Sequence, residues 1–117
     1  MQTISVHVVD VANGLVARNM RVDVLFHEGG QWRELVSGTV GGNGLVAAIE
    51  GVAEPMGAGR YELRLHVADY YRARGTALPE PAFMDVQAFR FAVADTTRHY
   101  HLPVKLTPWG LSCFRGA

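Results

Sequence analysis

The sequence predicts an all-β fold, an antiparallel sandwich with one short helix. Three observations carry this. Short stretches rich in β-branched and aromatic residues alternate with polar ones at a period of two, the pattern of half-buried strands. Turn residues separate these stretches at regular intervals, as sandwich folds require. Only one segment combines good helix formers with a closing glycine.

The first strand is expected over residues 3–12, Thr3-Ile4-Ser5-Val6-His7-Val8-Val9-Asp10-Val11-Ala12, and Asn13-Gly14 turns the chain. The second spans residues 20–27, with Met20, Val22, Val24 and Phe26 on one face and Arg21, Asp23 and Leu25 on the other. Gly29-Gly30 ends it, and Trp32 to Val40 forms the third. Gly41-Gly42-Asn43-Gly44 is a turn, after which Leu45 to Ile49 is expected as a short fourth strand. Glu50 to Gly59 reads as loop. Tyr61, Leu63, Leu65 and Val67 alternate with Glu62, Arg64 and His66 in a fifth strand. Ala68 to Arg74, closed by Gly75, is the helix, and Thr76 to Pro81 is a proline-containing loop. Phe89 to Val93 is a sixth strand. In the last, Tyr100, Leu102, Val104 and Leu106 share one face, with His99, His101, Pro103 and Lys105 opposite. Pro103 donates no backbone hydrogen bond, which points to an edge or an intersubunit face. Residues 107–117 read as a tail of turn residues and aromatics.

The composition narrows the function. A chain of 117 residues, 49% hydrophobic and 19% charged, is expected as one globular domain over residues 1–117. Lys+Arg and Asp+Glu both number 11, so there is no basic field for nucleic acid or anionic lipid. The zero net charge does little to hold copies apart and is compatible with self-association. The single cysteine, Cys113, forbids an intrachain disulfide and fits a reducing compartment. The N-terminal residues lack the basic and apolar regions of a signal peptide, and no apolar run is long enough to span a membrane. A cytoplasmic protein with no nucleic-acid or membrane partner is the expectation. No metal-ligand spacing, phosphate loop or dinucleotide fingerprint occurs, so no cofactor and no metal is expected.

Several blocks then form a pattern. His7-Val8-Val9-Asp10 with Gly14 and Ala17, Trp32 with Leu35, Gly38 and Thr39, Gly59-x-Tyr61-x-Leu63, and Tyr70-Tyr71 with Gly75 follow one another in order. The closing run His99-Tyr100-His101-Leu102-Pro103-Val104, then Leu106-Thr107-Pro108-Trp109-Gly110, leads to Phe114-Arg115-Gly116-Ala117. In this order and spacing the chain resembles the transthyretin and 5-hydroxyisourate hydrolase family along its whole length. The resemblance implies a transthyretin-like Greek-key sandwich of two four-stranded antiparallel sheets. It also implies a homotetramer, a dimer of dimers, whose small-molecule substrate binds at a subunit interface in a central channel. The family reaction opens the ring of 5-hydroxyisourate with water. Its site comprises a histidine on the first strand, an arginine after an Asp-Gly turn, a histidine on the last strand, and a C-terminal Tyr-Arg-Gly-Ser.

Residue by residue, His7 and His101 stand at the two histidine positions and are the candidate catalytic pair. Neutral imidazole is suited to take a proton from water near pH 7. Without the resemblance, His7 is an ordinary surface or half-buried strand histidine, and the face that carries His101 is simply a polar subunit interface. Asn43-Gly44-Leu45 replaces Asp-Gly-Arg, so Leu45 stands where a fork of guanidinium donors is expected. Phe114 and Ala117 each lack a hydroxyl present in the family tetrapeptide, while Arg115 and Gly116 match its two middle positions. Arg115 either holds an anionic group or ties the tail to a neighbouring subunit. Leu45, Phe114, Arg115, Gly116 and Ala117 are the candidate substrate-binding residues. Cys113 reads as a small packed residue rather than a nucleophile. His27 and His66 match no family position. Three readings follow: an enzyme with a remodelled, less polar site; a genuine 5-hydroxyisourate hydrolase in which Arg115, Arg33 or Arg60 replaces the missing guanidinium; and a carrier of an apolar small ligand.

Overall fold

The computed structural model describes residues 3–51 and 57–116. The elements are β1 (Thr3–Asp10), β2 (Leu15–Val16), β3 (Arg21–Glu28), β4 (Gln31–Thr39), α1 (Ala47–Glu50), β5 (Gly59–His66), α2 (Val67–Ala73), β6 (Val86–Val93), β7 (His99–Thr107) and β8 (Gly110–Cys113). They form two four-stranded sheets, ordered β2-β1-β7-β8 and β4-β3-β5-β6. Ile4, Val6, Val8, Leu102, Val104 and Leu106 from the first sheet meet Val22, Val24, Tyr61, Leu63 and Leu65 from the second. Each fully buried aliphatic side chain of this kind stabilises the fold by about 1.5–3 kcal/mol. Alternation therefore leaves Ser5 and His7 on β1, and His99, His101, Pro103 and Lys105 on β7, on the outer face of the first sheet. Among the described residues, no helix is long and apolar enough to cross a membrane.

The expected sandwich of two four-stranded sheets is present, with one departure in direction. β1 and β7 run parallel, from Thr3↔His99 through Ser5↔His101 and His7↔Pro103 to Asp10↔Leu106. The whole second sheet intervenes in sequence, so no hairpin constrains this pair to oppose. The first strand stops at Asp10, two residues short of expectation. Its carboxylate turns inward, is fully buried, and accepts hydrogen bonds from the Asn13 backbone N–H and side-chain amide. It also accepts from the Tyr70 and Tyr71 hydroxyls at 2.8 and 2.7 Å, which fastens α2 to the end of the first sheet.

The segment Leu45 to Ile49 is not a strand. Leu45 makes an isolated antiparallel bridge to His7, and the chain then turns into α1. Val46 and Ile49 are both buried, three residues apart, which is helical spacing. Ala47-Ala48 favours that turn of helix, and α1 lies close over β4 at Gly38. The expected loop Glu50 to Gly59 lies partly outside the described residues. The helix runs one residue earlier than expected, and β6 begins at Val86 instead of Phe89.

β7 is not an edge strand, because β8 pairs with it from Val104↔Cys113 to Thr107↔Gly110. The same register continues to an isolated bridge, His101↔Gly116. Pro103 lies in the gap between them. With no N–H, it leaves the ladder open at that point.

Candidate active site

Five of the candidate residues lie on or against the outer face of the first sheet. His7 and His101 come from adjacent parallel strands, and by the register His101 is diagonal to His7. Strand geometry sets their backbones about 8 Å apart, which leaves room for a small ring between the imidazoles. Both side chains are half-buried.

His7 is seated by the turn that precedes Leu45. Gly41 N–H donates to the Leu45 carbonyl, Gly44 N–H to the Gly41 carbonyl, and Leu45 N–H to the Asn43 side-chain oxygen, so the loop is closed on itself. Val8 N–H donates to the Gly44 carbonyl at 2.9 Å, which docks the loop on β1. Gly44 has φ +84° and its backbone lies against the His7 ring, where a Cβ would strike Nε2. The His7 Nε2 is 3.1 Å from the Asn43 carbonyl. A carbonyl only accepts, so Nε2 carries the hydrogen, and Nδ1 of the neutral ring holds the lone pair.

His101 is held from both sides. Its carbonyl accepts from Gly116 N–H at 2.7 Å, and Gly116 lies so close to the His101 and Pro103 side chains that a Cβ would approach to 3.0 Å. Its Nδ1 is 2.6 Å from the Ser5 hydroxyl. Among the described residues, His7 Nδ1 and His101 Nε2 carry no hydrogen-bond partner. Two imidazoles anchored through one nitrogen, each with the other free, are equipped to move two protons on one bound molecule.

Leu45 bridges His7, and residues paired across a ladder project to the same face, so its half-buried side chain sits beside the imidazole. Phe114 is 46% exposed at the same rim. Arg115 is not brought to the histidines. Its guanidinium lies 4.0 Å from the Tyr100 ring centre, in a groove of about 230 Å³ lined with Phe89, Phe91 and Leu102 on the core side of β7. Extended backbone alternates, so with Arg115 over Tyr100 on the core side Phe114 projects the other way. Ala117 lies outside the described residues. Cys113 packs inward against the core, and burial pushes its thiol up to about 11, which leaves it a neutral packed residue.

One contributor escaped the sequence reading. Ser5 is only 6% exposed although it lies on the outer face, because the rings of His99 and His101 cover it. Its alternation with His7 was visible, but the register that pairs it with His101 was not.

The sequence model of the HIUase/Transthyretin family matches residues 4–116. A 5-hydroxyisourate hydrolase from Ralstonia nicotianae is 40% identical over 119 residues, covering 100% of both chains. Among solved structures, (S)-allantoin synthase matches with a TM-score of 0.87 at 26% identity over 99% of this chain, which spans 44% of that protein. The 5-hydroxyisourate hydrolase of Klebsiella pneumoniae matches with a TM-score of 0.82 at 26% identity over 100% of each chain. Fold and histidine face thus define a transthyretin-like sandwich of the kind found in these hydrolases. The chain belongs to the HIUase/Transthyretin family.

Proposed function

We propose that this protein is an enzyme that uses His7 and His101 as an acid/base pair on a small heterocyclic or carbonyl compound less polar than 5-hydroxyisourate. The carrying observation is the bridge His7↔Leu45, which seats an aliphatic side chain beside the imidazole where the family resemblance places an arginine. In the hydrolytic form of this chemistry, His7 Nδ1 takes a proton from water, and the oxygen attacks a ring carbonyl carbon. The ring C–N bond breaks, and the leaving nitrogen takes a proton from His101 Nε2. Ring closure or isomerisation uses the same two proton positions. Leu45 and Phe114 favour an apolar substrate edge. In this reading the histidine face lines a channel in a homotetramer, a dimer of dimers, and the substrate sits between subunits.

A second reading is hydrolysis of 5-hydroxyisourate itself, and the 40% identity to the Ralstonia hydrolase favours it. It needs a guanidinium on this face. Arg115 lies over Tyr100, Arg33 is paired with Glu28 at 3.0 Å on the second sheet, and Arg60 is on β5 of that sheet. None reaches His7 from its own chain, which supports the first reading over the second.

The test is the decay of freshly generated 5-hydroxyisourate, followed with wild-type protein and with Leu45→Arg. The expected result is a wild-type rate near background and an increase on the order of 100- to 1000-fold with the arginine, the usual worth of one oxyanion donor. A fast wild-type reaction, abolished by His7→Asn or His101→Asn, establishes the second reading in place of the first. Stoichiometric binding of an apolar aromatic with no turnover of any substrate sinks both in favour of a carrier.

A further inference from the structure

The outer face carries a three-residue link that the acid/base reading leaves unused. The Ser5 hydroxyl lies 2.6 Å from His101 Nδ1 and 2.8 Å from His99 Nε2. The register Thr3↔His99 and Ser5↔His101 places the hydroxyl between two rings that are neighbours on β7. His101 is half-buried over the candidate site, whereas His99 is exposed. We propose that Ser5 is a positioning residue for His101 and that it joins His101 to His99 as a proton relay between the site and solvent. This rests on the acid/base role of His101 given above.

The argument is one of counting hydrogens. A serine hydroxyl has one hydrogen and two lone pairs. If it donates to His101 Nδ1, it accepts from His99 Nε2–H. If it donates to His99 Nε2, it accepts from His101 Nδ1–H. With both rings neutral and linked, they therefore share a tautomer, both Nε2–H or both Nδ1–H. The first arrangement presents His101 Nε2–H to the substrate as an acid, and the second presents a lone pair as a base. Ser5 thus selects what His101 is able to do.

The transfer balances. As the substrate C–N bond breaks, its electron pair stays on nitrogen and takes the His101 Nε2 proton. His101 Nδ1 takes the Ser5 proton, and Ser5 Oγ takes the Nε2 proton of a His99 imidazolium. His99 is left neutral with its proton on Nδ1 and is recharged from water. Nothing beyond water and the three side chains is consumed. Burial of Ser5 suits the role, because a link shielded from solvent holds its geometry against competing water.

The experiment has a spectroscopic and a kinetic arm. Imidazole nitrogen NMR on wild-type protein reports the tautomer of each ring, and Ser5→Ala is expected to change the His99 and His101 signals together. In the kinetic arm, 5-hydroxyisourate is turned over by Leu45→Arg protein with and without Ser5→Ala. The kcat is expected to fall on the order of 100-fold with KM nearly unchanged. Ser5→Thr restores it, because it restores the hydroxyl. His99→Gln, which removes the outer ring of the relay at an exposed position, lowers kcat in the same manner. Identical His99 and His101 signals in wild type and Ser5→Ala overturn the proposal. So does a loss confined to KM, or a loss that Ser5→Thr fails to recover while His99→Gln is silent. Should neither protein turn over 5-hydroxyisourate, the functional reading fails on that substrate while the spectra still decide the link.

Discussion

The backbone of Gly44 lies directly against the imidazole of His7. Its positive φ costs a non-glycine residue about 1 kcal/mol, and the added Cβ would occupy the space of the ring. Gly44→Ala is therefore expected to push His7 off the Asn43 carbonyl and abolish turnover, while lowering the unfolding midpoint only modestly. Paired kinetic and thermal-melting measurements check this, and an active, equally stable variant removes Gly44 from the site. Cys113 gives the opposite expectation. Its thiol, raised by burial, stays protonated near neutrality, so alkylation by iodoacetamide should be slow at pH 7.5 and accelerate toward pH 11. Rapid labelling at neutral pH would overturn its reading as a neutral packed residue. At this scale the two histidines and Leu45 were legible, because each sits in a short motif of fixed spacing. Ser5 was not, since a serine on a strand is unremarkable until another strand is laid beside it. The direction of Arg115 was equally hidden, because alternation through the short tail depends on its pairing with β7.

Among the strands, the long alternating ones were legible and the shortest were not, while the short helix α2 announced itself by its helix formers and closing Gly75. β1, β3, β5 and β7 each present a largely apolar inner face, and that face follows from the period-two alternation of the sequence. β2 has two residues and β8 four, too few for a period to register. α1 was mistaken for a strand because an apolar run of five residues fits either period, and only packing chooses between them. That packing yields a prediction. A Cβ on Gly38 would lie 2.7 Å from the Ala48 Cβ, so Gly38→Ala forces α1 and β4 apart. A loss of about 1–3 kcal/mol is expected from overpacking of this kind, read as a lower denaturant midpoint. An unchanged midpoint would mean that α1 is free to move.

At the scale of the whole molecule, Asp10, Asp23 and Glu62 are the buried carboxylates among the described residues, and each joins neighbouring elements. Burial alone would raise Asp10, but its hydrogen bonds from Asn13, Tyr71 and Tyr70 prevail and hold it below the ordinary value of 3.8. On the outer face of the second sheet, burial works against Asp23 in the same way. His66, Ser37 and Arg21 outweigh it and keep the carboxyl below 3.8. Arg90 and Arg64 do likewise for Glu62, below 4.5. A carboxyl depressed in the fold contributes its stability above its unfolded value and loses it as pH falls through its folded one. The melting temperature should therefore be flat above about pH 5 and fall steadily below pH 4. Asp23→Asn, which removes one of the three, should flatten that fall, and an acid limb as steep as in wild type would show the pairing to be inert. At this scale the two-sheet sandwich was legible from the number and spacing of strands. The parallel pairing of β1 with β7 was not, since direction is set by a return path through the other sheet.

That pairing also governs how the chain becomes itself. During synthesis β1 emerges first and must wait, its edge uncovered, while every strand of the second sheet is made. Its partner is the last long strand to appear, so the closing step joins segments from opposite ends of the chain, a slow step for any polymer. Until then the waiting edge is open to strands from other chains, and this is the interval in which aggregation competes. His7 has no His101 beside it before that closure, so a half-made molecule lacks the proposed pair. The finished fold and the histidine pair arrive in a single event.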